Sequence, residues 1–205
     1  MNIQLKDFLE IPYTELERLN LESKKQRIEN FGKSNDKLKE YYIQYLKKET
    51  RIKAVTVSFT DIEGKFHMLD YDKDYILEAD DNLTFDGSSV KGFTHVAESD
   101  LRLKLDWSSF YWLPSDIFGP GKVMIFAEVY TSDGKPHPSD FRSRLREYTR
   151  QLYKKENYLI IAANEIEGIL VQGLDAEINF NELEGFKLAS SGGYYHSLPL
   201  DNLRV

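Results

Sequence analysis

The chain has no cysteine among its 205 residues. Disulfides, thiolate catalysis and Cys-ligated zinc or iron–sulfur sites are therefore excluded. No apolar run approaches the roughly 20 residues of a membrane span. The first ten residues, MNIQLKDFLE, are too charged for a signal peptide, so the expected location is the cytoplasm. Positive charge is also in short supply: 27 Lys and Arg stand against 34 Asp and Glu, a net charge of -7. A duplex-binding domain usually carries a basic footprint, so nucleic acid is not an expected partner. The four histidines, His67, His95, His137 and His196, form no HxxxH or HExxH pair, which excludes a zincin-type site. No GxSxG elbow, GxGxxG or GxxxxGK[ST] cradle occurs.

What is present is a globular composition, 41% apolar and 30% charged. Residues 1–50 are nearly neutral, with ten basic and nine acidic side chains; the remainder carries 17 and 25, hence -8. The first fifty residues therefore read as a separate helical arm or subunit contact. Leu38, Tyr41, Tyr42, Tyr45 and Leu46 follow helical spacing, with Ser34 or Asn35 as N-cap. Pro12 should begin or interrupt a helix, and an earlier helix over 14–31 should stop at Gly32.

At residue 53 the period changes. Val55, Val57 and Phe59 alternate with Thr56 and Ser58, which is strand spacing. Glu63-Gly64 supplies a turn, and 66–71 can return as a hairpin partner. A strand over 123–130 precedes a turn at Asp133-Gly134. Ser139 is expected to cap a helix whose inward face is Phe141, Leu145, Tyr148 and Leu152. The apolar run 158–163 is expected as a strand buried on both faces. Strands and helices are mixed rather than alternating, so the fold class is α+β. The expected organisation is an arm over 1–50, a small sheet domain over 51–135, and the start of a further unit over 136–205.

Three fragments carry candidate chemistry. Glu165-Ile166-Glu167 follows the expected buried strand. On a strand, residues i and i+2 share a face about 6–7 Å apart. Two hard carboxylates there suit Mg²⁺ or Mn²⁺, yet supply too few of the roughly six oxygens such an ion takes. Solvated or salt-bridged glutamates would leave the same pattern. Phe85-Asp86-Gly87-Ser88-Ser89 places a carboxylate and two hydroxyls on a turn that can hold a small cation or ammonium; a plain Asx turn explains it equally. Ser190-Ser191-Gly192-Gly193-Tyr194-Tyr195 allows close backbone approach beside a phenol, or is a simple loop.

The order of these fragments is more specific than any one of them. FDGSSVKGF, then ESDLRL, DGKPHPSDFR, NEIEG and SGGYYHSLPLDNLR together resemble the front part of glutamine synthetase, over about residues 50–205. DGKP with Asp140 and Arg142 resembles the family's DGxP…DPR segment. The resemblance implies a β-grasp N-terminal domain, followed by the first strands and helix of a catalytic barrel that the 205 residues would not complete. It implies ligation of ammonia to glutamate through γ-glutamyl phosphate, with ATP and Mg²⁺ or Mn²⁺. Glu165 and Glu167 match the two metal-side glutamates, and Glu165 also lies towards the nucleotide phosphates. Asp86 matches the carboxylate of the ammonium pocket, with Ser89 and Tyr194 as polar companions. In the family the Asp86 loop completes the neighbouring subunit's site in a homo-oligomeric ring, so a lone subunit would be inactive. Departures are Asn164, Ile166 and Gly168 around the glutamates, and Phe141 for the proline of DPR. Two other readings are a non-catalytic glutamine synthetase-like binding protein and a ligase using another amine.

Overall fold

The computed structural model describes residues 9–31, 35–94, 99–165 and 168–189. Two compact units divide the chain, 1–159 and 160–205.

The first unit is built on a mixed five-stranded sheet in the order β2-β1-β5-β4-β3. Its strands are β1 (Ala54–Thr60), β2 (Phe66–Asp72), β3 (Leu83–Asp86), β4 (Asp100–Trp112) and β5 (Lys122–Tyr130). β1 and β2 form the expected hairpin, with Gly64 in the left-handed region at φ 78°. Asp61 organises that turn: its Oδ1 accepts from the Glu63 and Lys65 amides, each at 2.9 Å. β1 runs parallel to β5, while β5–β4 and β4–β3 are antiparallel. Val55, Val57 and Phe59 face the core as their alternation predicts, and the intervening Thr56 and Ser58 are buried too, since β1 is an interior strand.

β4 carries a wide bulge opposite β5. Leu105 pairs with Ala127 and Phe110 with Ile125, so five steps on β4 answer two on β5. Side chains repair the interrupted ladder. The Ser109 hydroxyl donates to the Asp106 carbonyl at 2.6 Å and accepts from the Phe126 amide at 2.9 Å. A bulge re-aims the side chains it contains, and this one presents Asp106 to the helix that crosses the sheet.

The first fifty residues, expected as an arm, are helical: α1 (Tyr13–Glu29) and α2 (Asp36–Lys48). Pro12 occupies the N-cap position of α1 and Asn35 that of α2, neither with a side-chain capping bond. Both helices share the core of the sheet. Leu16, Leu38, Tyr42 and Leu46 are buried with Phe110 and Trp112. The Tyr42 ring stacks on Phe110 at 4.3 Å and 2°. Its hydroxyl donates to Ser23 at 3.0 Å, and Ser23 donates to the Phe110 carbonyl at 2.8 Å. Trp112 Nε1 donates to the Tyr45 hydroxyl at 2.8 Å, and burial pushes the Tyr45 phenol up to about 12. Each buried polar tip thus has a partner, which such aromatics need in a core. Arg51 fastens the helices to the sheet, with a bidentate pair to Glu15 at 2.8 and 2.9 Å and further bonds to Glu49. Its guanidinium holds both carboxyls below their usual range.

A short α3 (Lys73–Ala79) follows β2, and α4 (Ser115–Phe118) precedes β5. The last helix, α5 (Phe141–Glu156), departs from expectation twice. Its N-cap is Asp140 rather than Ser139. The Asp140 carboxylate accepts from the Arg142 amide at 3.2 Å and from the Val129 amide of β5 at 3.0 Å. The stripe expected to face inward is turned outward: Phe141, Leu145 and Tyr148 are 49%, 61% and 58% exposed. Electrostatics explains the rotation. The sheet face under α5 carries two buried carboxylates, Asp106 and Glu128, and only the polar side of α5 brings Arg142 and Arg146 onto them, each at 2.5 Å. An unpaired buried charge costs several kcal/mol, on the order of burying one or two apolar side chains.

The second unit contains isolated bridges, Val171 with Leu188 and Asn181 with Gly185, and a tilted ring pair, Phe180 with Phe186. The strand expected over 158–163 is not formed. That backbone is irregular, and Tyr158, Leu159, Ile160 and Ile161 are exposed. An apolar run becomes a buried strand only when neighbours supply its ladder and cover both faces, and no described strand pairs with it. Among the described residues no helix is long and apolar enough to cross a membrane.

Candidate functional site

The Asp86 loop grows out of the end of β3. Leu83 and the half-buried Phe85 hold the strand in the core, and Asp86 stands at its exposed tip. A turn of 3₁₀ helix, Gly87–Ser89, follows at once. Gly87 is buried, and an added Cβ would lie 2.5 Å from Leu101 Cδ1 and 2.8 Å from Thr94 Cγ2. Gly92, at φ +82°, lies equally close against Ile62. Val90 between them and Phe93 just after Gly92 are buried in the core. The loop is therefore seated at both ends by glycine and in the middle by apolar anchors.

Asp86 and Ser89 come together as the sequence predicts. Asp86 Oδ2 accepts from the Ser89 hydroxyl at 2.6 Å. Its Oδ1 accepts from the Ser88 hydroxyl at 2.6 Å and the Ser88 amide at 2.9 Å. The serine hydroxyls, Ser88 first, hold the carboxyl below its usual range, so it is ionised at neutral pH. This is the geometry of a self-capping Asx turn. It also leaves capacity on an exposed anion, since an ionised carboxylate offers about four acceptor positions and three donors are present. The β3–β4 register sets Asp100 directly opposite Asp86. Asp100 belongs to the ESDLRL fragment, but its placement follows from strand register and has no local signal.

Aromatic rings support the loop from below. Phe59 and Phe85 lie 4.6 Å apart by centroid, Phe85 and Phe93 6.2 Å, and Phe93 and His137 5.0 Å. His137 is 8% exposed, and its Nδ1 accepts from the Ser139 amide at 3.1 Å. Burial pushes the imidazole below its ordinary pKa, against the opposing pull of Asp140 and the Phe93 carbonyl.

Of the other expected site residues, Glu165 lies exposed on irregular backbone in the second unit, and Glu167 and Tyr194 lie outside the described residues. Among the described residues no group of three or more His, Asp or Glu side chains is arranged to hold a metal ion. Glu165 and Glu167 supply the hard oxygen donors that a Mg²⁺ or Mn²⁺ ion takes, but at most two of about six. The fit is one of chemistry rather than of a completed coordination shell.

Sequence reasoning missed a buried charge network beside α5. Asp106 accepts from Arg142 at 2.5 Å, from Ser108 Oγ at 2.5 Å and from Asn35 at 3.2 Å, and these donors hold its carboxyl below the usual range although burial opposes them. The Arg142 guanidinium also lies over the Phe126 ring at 4.8 Å. Glu128 behaves oppositely, burial pushing its carboxyl up. The partners are 36 and 18 positions apart in the chain, so no short motif reveals them.

Residues 51–132 match the family described as the glutamine synthetase β-grasp domain. The glutamine synthetase of Thermotoga maritima is 34% identical over 164 residues, 78% of this chain and 36% of that protein. The glutamine synthetase of Methanosarcina mazei is 34% identical over 155 residues, 75% and 33% respectively. The chain spans about a third of the length of these curated relatives. Among solved structures, Plasmodium falciparum glutamine synthetase superposes with a TM-score of 0.50 over 57% of this chain and 22% of its own, at 19% identity, a likeness of fold. The matched stretch begins just before β1, ends just after β5 and contains the Asp86 loop. By sequence and by fold, the chain is similar to the N-terminal part of the glutamine synthetases, and residues 51–132 match that family's β-grasp domain.

Proposed function

We propose that this chain supplies the ammonium-binding side of an ATP-dependent glutamate–ammonia ligase. The observation that carries the reading is the exposed, ionised Asp86, braced by Ser88 and Ser89 and facing Asp100 at the tip of a β-grasp sheet. Ammonia is mostly NH₄⁺ at neutral pH. A fixed anion concentrates it and, with a second group, takes its proton before attack on an activated carboxyl. Hydroxyls pointing at the carboxylate keep it an acceptor, and the seating at Gly87 and Gly92 keeps it in place.

In this reading Ser89 and Tyr194 are polar companions of the pocket. Glu165 and Glu167 are metal-side carboxylates, Glu165 also lying towards ATP. Bound Mg²⁺ or Mn²⁺ would neutralise charge developing as phosphate passes from ATP to glutamate. Residues 51–135 are the β-grasp domain, the helices of residues 1–50 pack on its sheet rather than forming a separate arm, and 136–205 are the opening of the catalytic domain. The Asp86 tip completes a neighbour's site in a cytoplasmic homo-oligomeric ring, which is why an exposed position suits it. The chain by itself does not turn over, because two metal-side carboxylates and one side of an ammonium pocket do not make a complete site.

The test is kinetic. In the assembled enzyme that carries this chain, Asp86→Asn should raise KM for ammonium about tenfold or more, with KM for glutamate nearly unchanged. Equal effects on both substrates, or none, would remove Asp86 from the ammonium site. Glutamine formed by the purified 205-residue chain would overturn the inactivity claim.

A further inference from the structure

His137 sits where the 137–140 segment meets the Asp86 loop. Its imidazole is 8% exposed and lies 5.0 Å by centroid from the Phe93 ring, tilted by 46°. Phe93 packs edge-on against Phe85 at 6.2 Å and against Phe59 at 6.1 Å. Phe85 immediately precedes Asp86. The Phe93 amide donates to the Val90 carbonyl at 3.3 Å, and the Val90 amide to the Gly87 carbonyl at 3.2 Å. The loop that carries Asp86 thus rests on Phe93, and Phe93 rests on His137. On its other side His137 is tied to β5 and to the cap of α5. Its amide donates to the Val129 carbonyl at 2.8 Å, and its carbonyl accepts from the Asp140 amide at 3.0 Å.

One bond fixes the protonation state of the ring. The Ser139 amide donates to Nδ1 at 3.1 Å. A backbone N–H only donates, so Nδ1 is the bare nitrogen of a neutral imidazole. A proton added there would set two N–H groups against each other, and the imidazolium would have to leave its place. The way out is open, because the ring lines a cleft of about 940 Å³ between α5 and the sheet strands β4 and β5. Burial favours the neutral ring, against the pull of Asp140 and the Phe93 carbonyl. The other charged groups around the cleft are Lys104 of β4, Glu128 of β5, and Arg144, Arg146, Glu147 and Arg150 of α5, a cationic surplus that also disfavours a positive ring. On the loop, Lys91 is engaged with Glu63. A second imidazole touches the same aromatic cluster: His67 stacks on Phe59 at 5.3 Å and pairs with Asp61.

We propose that His137 is a positioning residue for the Asp86 loop: as a neutral ring it props Phe93 and so holds the Asp86 carboxylate in place, and on protonation it leaves Phe93 and loosens the loop. It acts through Phe93 and touches no reacting group. The consequence for ammonium rests on the ligase reading; the coupling of ring to loop does not.

The test is an NMR titration of the isotope-labelled 205-residue chain from about pH 8 to about pH 5, the range in which histidine changes charge. The His137 ring should carry its neutral proton on Nε2 and titrate below the ordinary histidine range. The Ser88, Val90 and Phe93 amide signals should move with the same midpoint, since Asp86 is ionised throughout. His137→Phe keeps a ring against Phe93 but takes no proton, so in it those signals should stay still. His137→Ala should speed hydrogen exchange of the loop amides at neutral pH about two- to tenfold, the worth of one aromatic pair. In the assembled enzyme that carries this chain, His137→Ala should raise KM for ammonium by a similar factor and His137→Phe should restore it, with KM for glutamate unchanged. Loop signals that ignore the His137 titration, or that still titrate in His137→Phe and so follow His67, would overturn the proposal. So would a KM for ammonium that responds to Asp86→Asn and not to His137→Ala. A KM that responds to neither, with the loop signals coupled to His137, would sink the ligase reading and leave the coupling standing. Trp107 and Trp112 fluorescence checks that each variant is folded; should one fail, the match of midpoints in the wild-type chain decides.

Discussion

Gly87→Ala tests how tightly the Asp86 loop is seated. The glycine lies on the wall of the core, and its new methyl would meet Leu101 Cδ1 at 2.5 Å, Leu101 Cγ at 2.8 Å and Thr94 Cγ2 at 2.8 Å. These distances are closer than carbon atoms tolerate. Leu101 is 4% exposed on β4 and has little room to withdraw. Overpacking of this kind costs about 1–3 kcal/mol. With a urea slope of about 2 kcal/mol per molar, the unfolding midpoint should fall by about 0.5–1.5 M. The assay is urea unfolding followed by tryptophan fluorescence, since both tryptophans, Trp107 and Trp112, are buried in β4. Gly64→Ala is the control, because nothing lies within 4 Å of its Cβ and only its φ of +78° opposes the change. Leu101→Ala supplies the decisive comparison. Alone it should cost about 2–5 kcal/mol, but it opens the space that the Gly87 methyl needs. The double variant should therefore be more stable than the sum of the two by about 1 kcal/mol or more. Strict additivity, or a neutral Gly87→Ala, would refute the steric account of this loop.

Two further outcomes follow from the 137–140 segment. Asp140→Ala removes the α5 cap and leaves the buried Val129 amide without its acceptor, so unfolding free energy should fall by about 1–3 kcal/mol, read by urea denaturation. His137 has its pKa depressed by burial, so its contribution to stability is full above its unfolded value near 6.5 and is lost as pH falls through the folded value; the urea midpoint of His137→Gln should accordingly depend less on pH than wild type below about pH 6.5.

What was legible in the sequence was local. The β1–β2 hairpin, the strand 123–130, the α1 start at Pro12 and the α2 core positions Leu38, Tyr42 and Leu46 all follow from period, turn residues and caps. Asp86 and Ser89 were legible because an Asx turn brings residues i and i+3 together with no help from the rest of the fold. The failures share the opposite cause. The apolar stripe of α5 reads as an inward face only if partner chemistry is ignored; Asp106 and Glu128, on strands far back in the chain, turn the arginine side inward instead. The first half of β4 alternates plainly, Leu101, Leu103 and Leu105 against Arg102 and Lys104, and only its second half is hidden by the bulge at 106–109. The run 158–163 satisfies the pattern of a buried strand, but pattern supplies neither ladder nor cover.

The two readings of Asp86, structural cap and ammonium acceptor, are not rivals. An ammonium site requires an anion that stays ionised beside a cation and does not turn away to find donors of its own. The Ser88 and Ser89 hydroxyls lower the carboxyl's pKa and meet the second need by fixing its plane. The carboxyl would remain ionised at neutral pH without them, since an ordinary aspartate titrates near 3.9. Their contribution at pH 7 is therefore orientation rather than charge. Local capping is then the means by which a solvent-exposed carboxylate is held in one orientation.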